Sequence, residues 1–287
     1  MRPLILAAAG CAVVTSTACG ASAGGSDGGG VEVLYAGSLV SLMQNQLGPG
    51  VKAATGHSVI GFSGGSTALA TQIRGKVHAA DVFISASPDV NASLQGSANG
   101  GWASWYATFA TSDLVLGYNP KSMFGDELKS KPWYQVITEP GFRLGSTDPA
   151  TDPKGKLAQQ ALTETAARQH DPALAKLAGE QATIYPEETL VGRLQSGQLD
   201  AGFFYTSEAS AAKIPTVPLT GEDLKATYTV TILNRAPHEK AAVAFVAYLL
   251  GGRGRALLEA DGFTLIKPPD VSGNGVPKSL HAVLPGA

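Results

Sequence analysis

The stretch 31–47, VEVLYAGSLVSLMQNQL, decides the fold class. Val31, Val33 and Tyr35 alternate with other residues in a short run of β-branched and aromatic side chains, which predicts a strand. Over residues 39–47 the apolar side chains instead recur at helical spacing, so the period changes across a turn of small residues. The stretch therefore predicts a strand, a turn and a helix in succession.

The turn places Ser38 at the start of the predicted helix. A hydroxyl there either caps the free N–H groups of the helix or joins them in binding an anion, because a helix N-terminus carries a partial positive charge. For one serine a cap is the commoner explanation. The same construction recurs at Ser66, after a predicted strand over 57–62 and a turn over 63–67, and the recurrence favours an anion site.

Predicted strands and helices alternate along the rest of the chain. The further strands are 80–85, 113–118, 142–145, 199–205 and 227–233, with helices after most of them and over 241–250 and 255–260. This alternation predicts an α/β fold with parallel sheets, in which ligands bind beyond the carboxyl ends of the strands.

The length of 287 residues favours two domains. We expect a first lobe over 31–112, a second over 113–226, and a segment 227–287 that crosses back and completes the first lobe. Two crossings predict a hinged molecule that closes on a ligand. The tail after Lys267, rich in Pro and Gly, is expected to be loosely held.

Charged residues make up 15% of the chain, and the formal net charge is −2. This composition excludes a generally disordered chain and gives no basic surface for nucleic acid or anionic lipid. A bound anion must therefore be held by local donors. The five His residues show no metal-ligand spacing.

The first 18 residues, MRPLILAAAGCAVVTSTA, combine one Arg with an apolar run that ends in small residues. This predicts an export signal, which is too short for a spanning helix. Cys19 resembles the lipidated first residue of a bacterial lipoprotein, with Cys11 as a competing position, and residues 19–30 form a Gly/Ser-rich tether. Both cysteines lie in this segment, so the folded part has no disulfide or Cys-ligated metal. We expect an extracytoplasmic domain anchored to the cell membrane.

One motif favours a different class of protein. Residues 61–65, GFSGG, match the G-x-S-x-G nucleophile elbow between a strand and a helix. A serine hydrolase using Ser63 also needs an acid and a His, and Asp200 with His238 or His281 keeps that order. Such a five-residue pattern is weak evidence in a chain with 35 glycines. A secreted serine hydrolase is therefore kept only as the less favoured alternative.

Two carboxylates lie at predicted helix starts in the second lobe. Asp152 precedes Pro153 in a turn and Glu187 begins a helix, both ordinary places for an acidic residue. Beside a bound anion, carboxylates would repel it unless they bond directly to its central atom. Oxygen ligands of that kind suit a high-valent, oxophilic metal centre.

Six stretches together resemble the molybdate/tungstate-binding proteins of ABC importers, a branch of the periplasmic-binding-protein superfamily. They are 36–39 (AGSL), 65–73 (GSTALATQI), 80–86 (ADVFISA), 152–155 (DPKG), 199–208 (LDAGFFYTSE) and 261–264 (DGFT). The resemblance runs from about residue 31 to about residue 267. It implies the type II fold of that superfamily, with two α/β lobes, each a sheet flanked by helices, and the ligand in the cleft.

The resemblance also implies a set of oxyanion-binding residues, which are Ser38, Ser66, Asp152, Lys154, Glu187 and Tyr205. In that family the two Ser and the Tyr donate hydrogen bonds to the oxyanion, and backbone N–H groups near Lys154 and Glu187 donate in one branch. In the archaeal-type branch an Asp and a Glu, here Asp152 and Glu187, instead approach the Mo or W centre. The chain matches that branch, except that Lys154 stands where the branch has a small residue.

The function implied by the resemblance is capture of molybdate or tungstate and delivery to a membrane permease. We expect no catalysis, no cofactor and a monomeric protein. A binding protein for sulfate, phosphate or another small solute is the nearest alternative.

Overall fold

The computed structural model of the protein describes residues 30–180 and 183–286. The predicted export signal, both cysteines and residues 19–29 of the tether lie outside these ranges. Lipidation at Cys19 or Cys11 therefore stays a prediction.

The described residues form alternating strands and helices. The strands are β1 Val31–Ala36, β2 Val59–Gly64, β3 Val82–Ser85, β4 Trp105–Tyr118, β5 Leu144–Ser146, β6 Thr183–Ile184, β7 Ala201–Tyr205, β8 Thr216–Pro218, β9 Lys225–Ile232 and β10 Thr264–Gly273. The α-helices are α1 Val40–Leu42, α2 Gly48–Thr55, α3 Ser66–Arg74, α4 Pro88–Ala92, α5 Gly125–Ser130, α6 Trp133–Val136, α7 Pro153–Gln169, α8 Pro172–Glu180, α9 Glu187–Gln195, α10 Thr206–Ala211, α11 Glu239–Leu250 and α12 Gly252–Ala260.

The ten strands of the described residues belong to one sheet, in the order β2-β1-β3-β9-β4-β7-β5-β6, with β8 and β10 also paired to β4. At one end β2, β1 and β3 are parallel, and at the other β7, β5 and β6 are parallel. Between them β9 and β4 run antiparallel to their neighbours. Each end therefore has the parallel α/β arrangement that the sequence predicted.

Strand β4 joins the two halves of the sheet. Its residues from Ala107 to Asp113 pair with β9, and its residues from Leu114 to Tyr118 pair with β7. The predicted strand 113–118 is therefore only the last part of a longer strand. The first part was missed because small alanines weaken its apolar alternation.

The helical segment after β1 differs from the prediction. It begins with a 3-10 turn, Gly37–Leu39, passes through a π-helical turn, Met43–Leu47, and continues without a break into α2. Ser38 does not cap it, because Ala36 is the N-cap residue and no side chain bonds there. The hydroxyl of Ser38 is thus available for another role.

The tail after Lys267 is not loosely held, contrary to the prediction. Strand β10 pairs with β4, and Leu280 and Leu284 beyond it are fully buried. The two leucines supply the apolar contact that the Pro- and Gly-rich composition concealed.

Helices α11 and α12 return the chain to the first half of the sheet. The buried face of α11 includes Ala242, Phe245 and Val246. Across residues 30–180 and 183–286 no single helix is long and apolar enough to cross a membrane. Helices α11 and α12, which are bent by 56° relative to each other, reach the necessary length and apolar composition only when taken together.

Asp81 joins three segments of the first half of the sheet. Its buried carboxylate accepts hydrogen bonds from the backbone N–H of Glu32 at 2.8 Å and of His238 at 2.6 Å. Its carbonyl oxygen accepts from the N–H of Leu233 at 2.9 Å. The side chain therefore fixes the start of α11 against β1.

We expect Asp81→Ala to lower the free energy of unfolding by about 2–4 kcal/mol, because two backbone donors lose a charged acceptor. Denaturant unfolding measures the change. Asp126→Ala, whose side chain is 96% exposed, is the control and should leave the midpoint unchanged. A wild-type midpoint for Asp81→Ala would contradict the assigned role.

Candidate functional site

The first half of the sheet brings the two predicted serines to one edge. Strands β1 and β2 pair in parallel with Ala36 opposite Gly64. Ser38 and Ser66 therefore each lie two residues beyond the carboxyl end of neighbouring strands. This is the edge at which α/β sheets bind ligands.

The second half of the sheet supplies the facing residues. Asp152 is the N-cap of α7, Glu187 is the first residue of α9, and Tyr205 is the last residue of β7. Parallel pairing of β5 with β6 and β7 places all three at one sheet edge. A helix N-terminus favours a carboxylate, which explains the two acidic residues there.

The two halves contact each other at this edge. The N–H of Ala68 in α3 donates to the carbonyl oxygen of Thr151 at 3.1 Å. A Cβ atom added to Gly37 would lie 2.6 Å from Glu187 Oε2, and one added to Gly65 would lie 2.5 Å from the Thr151 carbonyl oxygen. The turns after β1 and β2 therefore approach the second half as closely as only glycine allows.

The six predicted site residues are all buried, none more than 7% exposed, and they are Ser38, Ser66, Asp152, Lys154, Glu187 and Tyr205. Several buried polar atoms have no hydrogen-bond partner among the described residues: Thr147 Oγ1, Asp152 Oδ2, both carboxylate oxygens of Glu187, and Tyr205 Oη. Leaving such a group unpaired costs about 1–3 kcal/mol, so native proteins seldom do it without a reason. We call these atoms the unsatisfied cluster.

The two serine hydroxyls have different partners. Ser38 Oγ lies 2.9 Å from Tyr228 Oη, and either can be the donor. Ser66 Oγ accepts from the N–H of Ala86 at 3.1 Å. A hydroxyl that accepts one bond still has its own proton to donate.

Lys154 is held by acidic side chains. Its Nζ donates to both carboxylate oxygens of Glu208, at 3.1 and 2.9 Å, and lies 3.2 Å from Glu187 Oε1. Its backbone N–H donates to Asp152 Oδ1 at 2.8 Å. The resemblance implied a backbone N–H near Lys154 as a donor to the oxyanion. The N–H of Lys154 is already bonded to the side chain of Asp152, which caps α7.

Burial and crowding shift the pKa values of the site groups. Burial and the nearby Glu187 carboxylate raise the pKa of Asp152 well above its usual range. Burial also raises the pKa of Glu208, against the opposing effect of Lys154. Burial alone would lower the pKa of Lys154, but the carboxylates of Glu187 and Glu208 outweigh it and raise that pKa. Burial raises the pKa of Tyr205, so its phenol stays a neutral donor.

Three residues at the site were missed by the sequence analysis: Thr147, Glu208 and Tyr228. Glu208 lies in the first turn of α10, directly after β7, and this strand-to-helix position was the signal that could have found it. Tyr228 lies on β9, with its ring 6.2 Å from that of Tyr205. No local pattern distinguishes Tyr228 from an ordinary core residue of a strand.

The alternative catalytic triad is not assembled. Ser63 lies inside β2 and not at a turn. Asp200 accepts from Arg143 through both oxygens, at 2.9 and 2.7 Å, and His238 Nδ1 lies 3.1 Å from Asp81. The acid and the histidine thus have other partners.

A cleft of about 330 Å³ adjoins the unsatisfied cluster. Gly37 and Ser38 line it from the first half of the sheet, and Glu187 and Glu208 line it from the second. In the described part of the chain, no group of three or more His, Cys, Asp or Glu side chains is arranged to hold a metal ion.

Comparisons with known proteins identify the family. A profile described as bacterial extracellular solute-binding protein matches residues 31–264. An uncharacterized solute-binding protein of Petrotoga mobilis is 29% identical over 268 residues, which cover 80% of this chain and 82% of that one. The molybdate/tungstate-binding protein WtpA of Thermococcus kodakarensis is 26% identical over 235 residues, covering 64% of this chain and 66% of that one.

Among solved structures, the periplasmic molybdate-binding protein of Azotobacter vinelandii has a TM-score of 0.66 at 24% identity, over 82% of this chain and 99% of that one. This similarity confirms the predicted α/β fold of type II periplasmic binding proteins. These relatives are substrate-binding transport proteins and not enzymes, which decides against a serine hydrolase. The chain belongs to the bacterial extracellular solute-binding protein family and is a solute-binding protein of the ABC-importer type.

Proposed function

We propose that this protein captures molybdate or tungstate at the unsatisfied cluster and delivers it to a membrane permease. The observation that carries the proposal is the cluster itself, in which Asp152 Oδ2, both Glu187 oxygens and Tyr205 Oη are buried without a hydrogen bond among the described residues, although Lys154 Nζ lies 3.2 Å from Glu187 Oε1. The similar proteins of Thermococcus kodakarensis, which binds molybdate or tungstate, and Azotobacter vinelandii, which binds molybdate, support the choice of ligand.

The proposed site combines donors with acceptors. The hydroxyls of Ser38, Ser66 and Tyr205 would donate to the oxygens of the oxyanion. When ionised, the carboxylates of Asp152 and Glu187 have no proton to donate, so toward those oxygens they are only repulsive. Burial raises the pKa of Asp152, and bonding to a positive metal centre would favour its ionised form. The two carboxylates become favourable when they ligate the central atom, as hard oxygen ligands do for an oxophilic metal.

This arrangement also supplies selectivity. Molybdenum and tungsten accept further oxygen ligands, whereas the sulfur of sulfate and the phosphorus of phosphate, at the centre of stable tetrahedral anions, do not. The carboxylates of Asp152 and Glu187 therefore repel sulfate and phosphate without a compensating bond. Sulfate or another small oxyanion remains the competing candidate.

The proposal extends to the rest of the chain. Residues 1–18 would direct export, and lipidation of Cys19 would anchor the protein at the outer face of the cell membrane. Lobes over 31–112 with 227–287, and over 113–226, would close on the ligand in a monomer. The change of β4 from pairing with β9 to pairing with β7, after Asp113, supports that boundary.

Unfolding of the exported form in the presence of each anion tests the ligand. We expect tungstate or molybdate at a thousandfold excess over Kd to raise the free energy of unfolding by about 4 kcal/mol. Sulfate and phosphate at the same concentration should give little change. Stabilisation by sulfate or phosphate alone would overturn the proposed ligand while leaving the family intact.

Tyr205→Phe separates binding from stability. Because Tyr205 Oη bonds to none of the described residues, its loss should leave the ligand-free protein as stable as wild type or slightly more so. Tungstate binding, measured by calorimetry, should weaken by about 10- to 100-fold, since a donor to a charged ligand is lost. Tyr134→Phe, a half-buried tyrosine on α6, is the control. Unchanged tungstate affinity in Tyr205→Phe would remove that residue from the site.

Asp152→Asn combined with Glu187→Gln tests direct coordination, because it replaces two carboxylates by amides of the same shape. The ratio of tungstate to sulfate affinity should fall by about tenfold or more, as repulsion of sulfate and ligation of tungsten are lost together. The exposed neighbour Glu188→Gln serves as control. An unaltered ratio in the double variant would count against coordination by these carboxylates.

A further inference from the structure

The proposed capture of the oxyanion assigns no role to the side chain of Lys154. It enters the site from the first turn of α7 and is fully buried, which is rare for lysine. Glu208, its partner, comes from the first turn of α10. Burial of such a pair is costly, and replacing both partners by apolar residues is often neutral or stabilising. Stability alone therefore does not account for the pair.

The position of the ammonium group is closely defined. Two of its contacts go to the carboxylate oxygens of Glu208, and the third is the 3.2 Å approach to Glu187 Oε1. Nζ also lies 5.6 Å from the ring centroid of Phe204 and 5.7 Å from that of Tyr205. Glu208 and the two rings thus hold the ammonium in one place, beside Glu187.

The orientation of the Glu187 carboxylate depends on the position of the Lys154 ammonium. Neither of its carboxylate oxygens accepts a hydrogen bond from any described residue. Its other source of positive charge is the N-terminus of α9, where it is the first residue. Lys154 is therefore the charged group that orients this carboxylate and offsets its repulsion of Asp152.

We propose that Lys154, anchored by Glu208, is a specificity-determining residue, whose ammonium holds the Glu187 carboxylate toward the ligand's central atom. Tungstate and molybdate gain a bond from that carboxylate to their central atom, and sulfate gains none. The lysine therefore raises the affinity for tungstate and molybdate relative to that for sulfate. This inference rests on the proposed function. It assigns a role to the lysine side chain, whereas the resemblance implied only the backbone N–H near this position.

The test compares three variants with wild type: Lys154→Met, the double variant Lys154→Met with Glu208→Gln, and Lys156→Met. Lys156 is exposed on the same helix and is the matched control. Tungstate and sulfate affinities are measured by calorimetry, and unfolding of the ligand-free protein is measured on the same samples.

In Lys154→Met we expect lower stability, because Glu208 is left buried without its cation. In the double variant stability should recover in part, because Glu208 no longer lacks its cation although Glu187 still does. Tungstate affinity should stay about 10- to 100-fold below wild type in both, with a much smaller loss for sulfate, since Glu187 still lacks its ammonium.

Recovery of tungstate affinity together with stability in the double variant would assign the lysine a structural role and overturn the inference. An equal loss of tungstate and sulfate affinity would overturn it as well, because the lysine would then act only as a general positive charge. Failure of wild type to bind either tungstate or molybdate would instead overturn the proposed function, and the inference with it.

Discussion

The electrostatic requirement of buried carboxylates governs the site. Asp152, Glu187 and Glu208 are all buried in one region, and each carboxylate largely removed from water needs a positive partner. Each lies at the cap or in the first turn of a different helix, where the helix N-terminus supplies a partial positive charge. Lys154 supplies the full charge that helix ends cannot. The strand-to-helix turns of the second half of the sheet thus place each of these carboxylates where positive charge is available.

The sheet determines how the two sets of site residues meet. Parallel pairing within each half brings the turns of that half to one edge, and the antiparallel strands β4 and β9 connect the halves. The edges then approach so closely that Gly37 and Gly65 leave no room for a side chain. A bulkier residue at either glycine would hold the halves apart and leave the unsatisfied cluster in water. Fold and site are therefore linked through backbone contact and not through side-chain packing alone.

Local sequence patterns predicted most of the fold and marked four of the six candidate residues, Ser38, Ser66, Asp152 and Glu187, because change of period and small-residue turns are local signals; Lys154 and Tyr205 were implied only by the family resemblance. They could not predict which strands pair across long stretches of chain. Ser38 meets Tyr228 through a hydrogen bond that spans 190 residues, and the tail after Lys267 is fixed by pairing with β4. The Lys154–Glu208 pair was missed for the same reason, since helix α7 and helix α10 meet only in three dimensions.

The unsatisfied cluster also bears on how capture and closure are coupled. With the halves in contact, Asp152 Oδ2, the Glu187 carboxylate and Tyr205 Oη are buried without a hydrogen bond among the described residues, and Glu187 has only the ion pair with Lys154. If the two halves open as proposed, their separation would return water to these atoms, and the closed arrangement would be disfavoured until another group bonds to them. A ligand that bonds to these atoms binds the closed arrangement better than the open one, and it shifts the equilibrium by that difference in affinity. The same atoms that select the ligand would therefore make its binding close the protein.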